Sequence, residues 1–479
     1  MPSSVQYASS ADLAALWPTF AVAVAGLLAL VVDLFMGAGR TRRYLAVAIG
    51  MLGLIVGGLM TAQQYGHPSI AFSGAYIVGG FSVVFTEIAI VASIVSLGLT
   101  LGIGRDDQIA GTTALLLWST CGAMFMSGAG NLMMIFLGLE LLSLGLYCLC
   151  AMSTRKTARE SGLKYLLLSS MASGFLLYGM ALLFGATGSV SLAALAVAQP
   201  SALLSIGAGL FLVGIAFKLS LVPFHVWTPD VYEGAPLPVT AYMSVVTKAG
   251  TLAVLGRFAY ASLPPQTANA LLVPLWVVAA ISMIVGNLAA LSQVDMKRLL
   301  AYSGIAQVGY IVAAFAGQTP QGLRYGIFYL AAYTFMNLGA FAVVALMAKD
   351  DDAVVSVASF AGLAQRRPWL AGAMTFFLLG LAGLPPTAGF TGKILILASS
   401  VSASFTWLAA LLILGTAISV YVYFKIVRAM FVRVDERHVR ESRQTGNVLP
   451  WISIAVCALA IFALGIFPYA PSDILPVVK

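Results

Sequence analysis

Apolar stretches of about 20 residues follow one another along almost the whole chain, and burying so many of them requires a bilayer. The 479 residues are 61% hydrophobic and 9% charged, with a mean hydropathy of +0.98. Soluble domains carry roughly 25% charge, so a water-soluble fold of this length is excluded. Around fourteen spans fit into the chain with short connections. They are expected near 16–36, 43–61, 81–103, 112–128, 131–151, 162–184, 204–224, 238–260, 271–290, 299–316, 322–347, 370–400, 405–431 and 450–468. The stretches are long and rich in Leu, Ala and Gly, which predicts helices; barrel strands would alternate over about ten residues. The expected fold is therefore an all-α polytopic membrane protein occupying residues 1–479 as one membrane domain.

The formal net charge of +8 follows membrane topology and does not form a nucleic-acid surface. Arg40, Arg42 and Arg43 lie after the first span, Arg105 after the third, and Arg155, Lys156 and Arg159 after the fifth. Lys297 and Arg298 follow the ninth, Lys349, Arg366 and Arg367 the eleventh, and Arg428, Arg433, Arg437, Arg440 and Arg443 the thirteenth. Only Arg257, Arg324 and Lys479 fall on the opposite side. The positive-inside rule then places odd-numbered loops in the cytoplasm and both termini outside, as an even span count requires. The first basic residue is Arg40, so no basic segment precedes the first span and no cleaved signal peptide is expected. Cys121, Cys148, Cys150 and Cys457 all fall inside spans, where soft apolar packing is the expected role. With His67, His225 and His438 far apart, nothing resembles a zinc, haem or iron–sulfur site. No cofactor or metal is expected in this chain, and any redox chemistry belongs to partners.

Two spans are irregular. The seventh ends in Lys218-Leu-Ser-Leu-Val-Pro223-Phe-His225-Val-Trp-Thr-Pro229-Asp230, and the twelfth is interrupted by Gly383-Leu-Pro385-Pro386. Proline removes a backbone donor and clashes with the preceding turn, so both helices should be broken or kinked. Non-helical backbone inside a membrane is tolerated where it is buried in protein or lines a wet cavity. Both breaks are thus candidates for an ion pathway. They occupy equivalent places if spans four to eight (112–260) and nine to thirteen (271–431) form two five-span units, after three N-terminal helices (1–111) and before a last one (450–479). An odd number of spans per unit makes the second copy inverted, the organisation of many secondary transporters.

Four ionisable residues stand deep inside spans: Glu140 in the fifth, Lys218 in the seventh, Lys248 in the eighth and Lys393 in the twelfth. A charge at mid-bilayer costs roughly 2.5–3.5 kcal/mol on insertion scales, so four unpaired charges would cost on the order of 10 kcal/mol. Pairing or neutralisation is expected, and groups so placed are suited to exchanging protons. Snorkelling or a structural ion pair is the competing reading at each site. Asp33, Glu87, Lys164 and Lys425 lie nearer span ends, where a structural role is expected. His225, Asp230 and Glu233 lie in or beside the loop after span seven, where solvation competes with a role in proton uptake. A Glu and a Lys on neighbouring helices make a bistable pair, so a push at Glu140 would load or unload Lys218. Lys218 would then exchange with Lys248, and Lys248 with Lys393, through water and hydroxyls. Ser220, Tyr242, Ser244, Thr247, Tyr302 and Ser303 are candidate wall groups.

These residues sit in recognisable runs. KLSLVPFHVWTPDVYEGAPLPVTAYMSVVTKAG (218–250) resembles the antiporter-like membrane subunits of respiratory complex I, and WTPDVYEGAP with SVVTKAG looks like the subunit N group within them. LGLELLSLGLYCL (137–149), KRLLAYSGIAQVGY (297–310) and GLPPTAGFTGKILIL (383–397) resemble the fifth, tenth and broken twelfth helices of that family, in order and spacing. The resemblance implies fourteen helices with inverted five-helix repeats and a bacterial form. It implies Glu140 as the fifth-helix glutamate, Lys218 as the seventh-helix lysine, Lys248 as the connecting lysine and Lys393 as the terminal lysine. One departure is Gln307, where many relatives carry a titratable histidine; the role left to Gln307 is to organise water as a bridge.

The resemblance further implies proton translocation coupled to NADH oxidation and quinone reduction in other subunits, which would hold the FMN, iron–sulfur clusters and quinone. Subunits K and M would be the membrane neighbours in a hetero-oligomer within the bacterial inner membrane. The rival readings are a subunit of a multisubunit sodium/proton antiporter or membrane-bound hydrogenase, an independent solute transporter with a pocket at the breaks, and a scaffold that has lost pumping. Co-purification with flavin and iron–sulfur subunits separates the first from complex I, and transport by the chain alone would favour the second. The presence of all four buried charges weighs against the third.

Overall fold

The computed structural model describes residues 9–36, 39–103, 108–348, 355–403, 405–433 and 448–468. The helices run in the order α1 (Ser10–Phe35), α2 (Arg40–Gln63), α3 (Gly80–Ile103), α4 (Ile109–Gly128), α5 (Leu132–Ala151), α6 (Lys156–Thr187), α7 (Leu192–Ala196), α8 (Ala202–Lys218) and α9 (Trp227–Gly234). They continue with α10 (Leu237–Ala261), α11 (Pro265–Leu291), α12 (Met296–Ala316), α13 (Pro320–Met347), α14 (Leu363–Arg366), α15 (Pro368–Ala382), α16 (Ala388–Ser402), α17 (Thr406–Phe431) and α18 (Leu449–Ile466). Twelve of these are long and apolar enough to cross a membrane. The two interrupted segments, α8 with α9 and α15 with α16, complete the fourteen expected crossings. A short hairpin, β1 (Ser69–Ala71) with β2 (Tyr76–Val78), lies between α2 and α3 and was not anticipated in an all-α reading.

Helix starts follow local chemistry. The side chains of Asn131, Ser201, Asp295 and Thr319 each accept a hydrogen bond from a first-turn backbone N–H of α5, α8, α12 and α13, replacing a partner the helix cannot supply. Proline opens α10, α11, α13, α15 and α18, where its missing N–H leaves nothing unsatisfied. The centre of the bundle is α10, with α12 and α13 beside it, all three buried nearly all round, whereas α11 and α18 expose most of their surface. A helix apolar on every side belongs in such an interior.

Both predicted breaks occur, and each begins before its proline. Helix α8 stops at Lys218, where Ser220 N–H donates to Phe217 O (3.0 Å) and Leu221 N–H to Ala216 O (2.9 Å). Helix α15 stops in the same way, Gly383 N–H donating to Gly380 O (2.9 Å) and Leu384 N–H to Leu379 O (3.0 Å). Ser220 (φ 60) and Gly383 (φ 82) take the left-handed conformation this stop requires. The residue preceding a proline resists helical geometry, which is why termination falls upstream. The seventh span therefore ends at Lys218 rather than near 224, and Asp230 and Glu233, expected in or beside a loop, lie on α9. Pro223, Pro385 and Pro386 are exposed on this chain; lacking an N–H, proline has no donor to leave unsatisfied there.

A second pair of matches links the two halves. Asn131, before α5, bridges to Ser191, with Leu132 N–H donating to Val190 O (2.9 Å) and Leu192 N–H to Gly130 O (3.1 Å). Asp295, before α12, bridges to Ser356, with Met296 N–H donating to Val355 O and Val357 N–H to Val294 O, both 2.8 Å. The matches pair α5 with α12 and α8 with α15. Cys121, Cys150 and Cys457 are buried as expected, but Cys148 is exposed on α5 and packs against no core of this chain. His438 and the basic residues at 437, 440 and 443 lie outside the described residues.

Candidate proton-relay site

The three lysines expected deep inside spans lie inside the bundle, with Lys218 2%, Lys248 1% and Lys393 4% exposed; Lys297, expected in the loop after the ninth span, is also buried, at the start of α12, its Nζ donating to Ala235 O (3.0 Å). None snorkels. Lys218 ends α8, and its Nζ donates to Ser143 Oγ on α5 and Ser169 Oγ on α6, both at 2.6 Å. Tyr147 OH also donates to Ser169 Oγ (2.6 Å), and the ammonium lies 5.5 Å and 5.2 Å from the Tyr147 and Tyr165 rings. Tyr165 stacks on Trp227 of α9, whose Nε1–H donates to Phe217 O (3.0 Å) and so ties the resumed helix to the end of α8.

Glu140 is half-buried on α5, one turn before Ser143, and its Oε1 accepts from Ser173 Oγ of α6 (2.6 Å). Among the described residues no ion pair joins Glu140 to Lys218; Ser143 and Ser169 bond the amine and Ser173 bonds the carboxylate. Leu137 and Leu144, the α5 neighbours of Glu140, are exposed, so the carboxylate sits at the margin of the bundle, unlike the lysines.

Lys248 lies in the middle of α10. Its Nζ donates to Tyr333 OH of α13 (2.8 Å), and Tyr333 OH in turn donates to Ser244 O (3.3 Å). Gly304 of α12 leaves room for the amine: a Cβ there would stand 2.5 Å from Nζ. Asn337 Nδ2–H donates to Ser244 Oγ (2.5 Å), while its Oδ1 is buried without a partner.

Lys393, on α16, donates to Leu381 O and Ala382 O, both at 3.1 Å, and lies 4.7 Å from the Tyr310 ring. It caps the carbonyl end of α15, where a cation is electrostatically favoured. Gln307 of α12 donates through Nε2 to the same Leu381 carbonyl (2.9 Å) and accepts from Tyr329 OH, and Ser303 pairs with Tyr423 (2.5 Å). Gln307 thus joins α12 to the second break through the carbonyl that also holds Lys393.

Of the proposed wall groups, Ser244 and Ser303 lie in this network. Thr247 is satisfied within its own helix, Ser220 by Thr228, and Tyr242 by Thr120, while the Tyr302 ring lies 6.4 Å from that of His225. Ser143, Ser169, Tyr333, Tyr310 and Tyr329 touch the relay residues or Gln307 without having been singled out. The one signal for them is spacing, since Ser143 falls one turn after Glu140. His225 lies in the first break with Nδ1 buried and unpartnered. Asp230 and Glu233 belong to an ion-pair cluster: Arg298 Nη1 of α12 reaches Asp230 Oδ1 and Glu233 Oε2, both at 2.7 Å, and Lys164 Nζ of α6 reaches Asp230 Oδ2 at 3.4 Å. This cluster clamps α9 between the two halves. Among the described residues no three His, Cys, Asp or Glu side chains are grouped to hold a metal ion.

Residues 129–419 match the family model described as NADH:quinone oxidoreductase/Mrp antiporter, TM. NADH-quinone oxidoreductase subunit N 1 of Symbiobacterium thermophilum is 37% identical, covering 96% of this chain and 97% of its own. Subunit N of Trichlorobacter lovleyi is 38% identical over 95% of each chain. The chain belongs to the NADH-quinone oxidoreductase subunit N family. A chain of respiratory complex I from Thermus thermophilus with bound aureothin superimposes with a TM-score of 0.82 at 34% identity, covering 94% of this chain and 97% of that one. The Mrp complex from Dietzia sp. shares the fold at 20% identity (TM-score 0.82, 95% of each chain). The fold is thus common to complex I and Mrp assemblies, and the subunit N assignment rests on sequence identity along nearly the full length. It makes this chain a multi-pass membrane member of an oxidoreductase family.

Proposed function

We infer that this chain translocates protons in the membrane arm of an NADH:quinone oxidoreductase, passing them laterally through Glu140, Lys218, Lys248 and Lys393. The observation that carries this reading is that three buried lysine amines meet only neutral oxygen partners: Ser143 and Ser169, Tyr333, and the Leu381 and Ala382 carbonyls. Holding a permanent ammonium at all three would require counter-charges that the described residues do not supply. Hydroxyls both give and accept protons, so the Ser and Tyr partners suit hand-off better than static pairing. Backbone carbonyls only accept, so Lys393 marks an end of the line, and Gln307 orients the groups around it without titrating.

In this reading Glu140 is the input. Its place at the margin, between exposed leucines, leaves a carboxylate facing lipid unless another membrane subunit covers it. Subunits K and M are the proposed neighbours, in an assembly whose other chains hold FMN, iron–sulfur clusters and quinone. NADH oxidation and quinone reduction take place there, and this chain contributes no redox group. The proposed setting is the bacterial inner membrane with both termini periplasmic, supported by the distribution of Lys and Arg. The two five-span units are proposed to be inverted copies, supported by the matched helix stops and strand-like bridges.

Replacing Lys218 with alanine tests the relay. The assembled Lys218→Ala complex should lose proton pumping and coupled quinone reduction by about 10²-fold, the usual scale for losing a positioned proton carrier. Proton uptake into sealed vesicles, measured alongside subunit content, reads the outcome. Normal pumping by an assembled variant would remove Lys218 from the mechanism.

A further inference from the structure

The ends of three membrane helices meet at a cleft to which the relay gives no role. It has a volume of about 380 Å³ and is lined by Leu346 at the end of α13, Arg366 and Arg367 just before α15, Trp369 and Leu370 in its first turn, and Trp451 in the first turn of α18. Among the described residues no carboxylate lines it. Leu346 and Leu370 are buried, whereas Trp369 is 85% and Trp451 41% exposed. Indoles so exposed are ordinary at the level where a bilayer meets water.

The two arginines are held in place by backbone. Arg366 Nη2 donates to Ser359 O (3.1 Å) and Ala361 O (2.7 Å), while its Nε is buried without a partner. Arg367 Nη1 donates to Leu346 O (3.3 Å), tying the start of α15 to the end of α13. Among the described residues no carboxylate pairs with Arg366. Burial and the adjacent Arg367 lower its pKa from the ordinary value, the direction expected for a cation beside a like charge. The start of α15, with Pro368 at its first position, adds the positive end of a helix dipole. Below the cleft, Ile452, Val456 and Leu459 form an exposed apolar stripe down one side of α18.

We propose that this cleft binds the headgroup phosphate of an anionic phospholipid. Arg366, Arg367 and the start of α15 supply the positive charge, and a planar guanidinium suits phosphate oxygens. Trp369 and Trp451 flank the glycerol region, and an acyl chain lies along the stripe of α18. A free phosphate ion would use the arginines and leave the indoles and the stripe without a function; a lipid uses all three. Basic pockets between membrane helices at the cytoplasmic surface have this character, and in the orientation proposed above the cleft opens to the cytoplasmic leaflet. The site is independent of the proton relay, so failure of one leaves the other standing.

The test uses the assembled complex in phosphatidylcholine nanodiscs carrying a little phosphatidylglycerol with a photoreactive group near the head of one acyl chain. After illumination, crosslinks should fall in peptides spanning 346–370 or 449–459, and unlabelled phosphatidylglycerol should suppress them. Arg366→Gln with Arg367→Gln should cut this labelling by about 30-fold, the loss expected of two basic contacts. Arg366→Lys with Arg367→Lys, which keeps the charge, should retain most of it. Trp369→Ala, at an exposed side chain, should lower it without affecting assembly, and decides the matter with the lipid competition if the glutamine pair does not assemble. Equal labelling by a photoreactive phosphatidylcholine, or wild-type labelling in the glutamine pair, would reduce the cleft to an unselective apolar groove and overturn the proposal. Suppression by inorganic phosphate as effective as that by the lipid would assign the site to a free anion instead. Labelling that appears only after the subunits are dissociated would show that a neighbouring protein fills the cleft, which also overturns it.

Discussion

Lys248 is held by little besides Tyr333 and the space that Gly304 leaves beside it, so its chemistry depends on being an amine that fits there. Arginine would keep the charge but could not give up its proton, and its planar head is wider than the gap. Lys248→Arg should therefore assemble and yet lose about 10²-fold in coupled proton pumping, measured with a pH indicator in vesicles. Wild-type activity would reduce Lys248 to a fixed positive charge. The lysines themselves were legible in the sequence because a charge stands out against an apolar background that makes it costly. Their partners were not: Ser143, Ser169 and Tyr333 are residue types that ordinarily serve helix packing in membranes, and only their convergence on an amine distinguishes them. Glu140 was expected deep inside the fifth span and lies on α5, but its half-exposed position depends on how α5 faces the outside of the bundle, which its sequence alone does not fix.

The two interrupted helices explain how Lys218 and Lys393 are presented. Both stops are made by the same pair of backbone hydrogen bonds, with one left-handed residue at each, and the prolines downstream prevent continuation. Gly383 is the residue type this conformation favours, and a glycine just before two prolines is a recognisable stop in sequence. Ser220 carries no such mark, so the first break was expected several residues too late. Gly383 also touches Lys393, since a Cβ there would stand 2.7 Å from the lysine Cδ. Gly383→Ala should thus act twice, costing about 1–2 kcal/mol for a side chain in the left-handed region and pushing Lys393 away from the Leu381 and Ala382 carbonyls. A lowered midpoint of thermal inactivation together with weakened pumping is the expected result, and an unchanged midpoint would show that the stop tolerates a Cβ. The ion-pair cluster of Asp230, Glu233, Lys164 and Arg298 was hidden for a related reason: two of its members sit on α9, a short helix that exists only because the seventh span is broken.

Across the whole molecule the residues of the proposed relay are distributed over α5, α8, α10 and α16, from the first half of the chain to the second, with α10, α12 and α13 forming the packed centre between them. The span count was readable from composition and spacing, because bilayer thickness fixes helix length, and the loop charges support the proposed orientation. The partners on which the proposed path depends were not, since they are set by which hydroxyls face each other across helices far apart in sequence. A single series path makes a prediction that separate structural roles would not. If Lys218 and Lys393 carry the same protons in sequence, losing either one stops the flow, and losing the second adds almost nothing. Groups acting as a unit are non-additive in this manner, whereas distant independent sites multiply their effects. Lys218→Ala combined with Lys393→Ala should therefore pump within about twofold of the worse single variant, measured in assembled complexes with the thermal midpoint followed in parallel. A double variant whose defect equals the product of the two single defects would place the lysines on separate paths, and the line from Glu140 to Lys393 would then not be one relay.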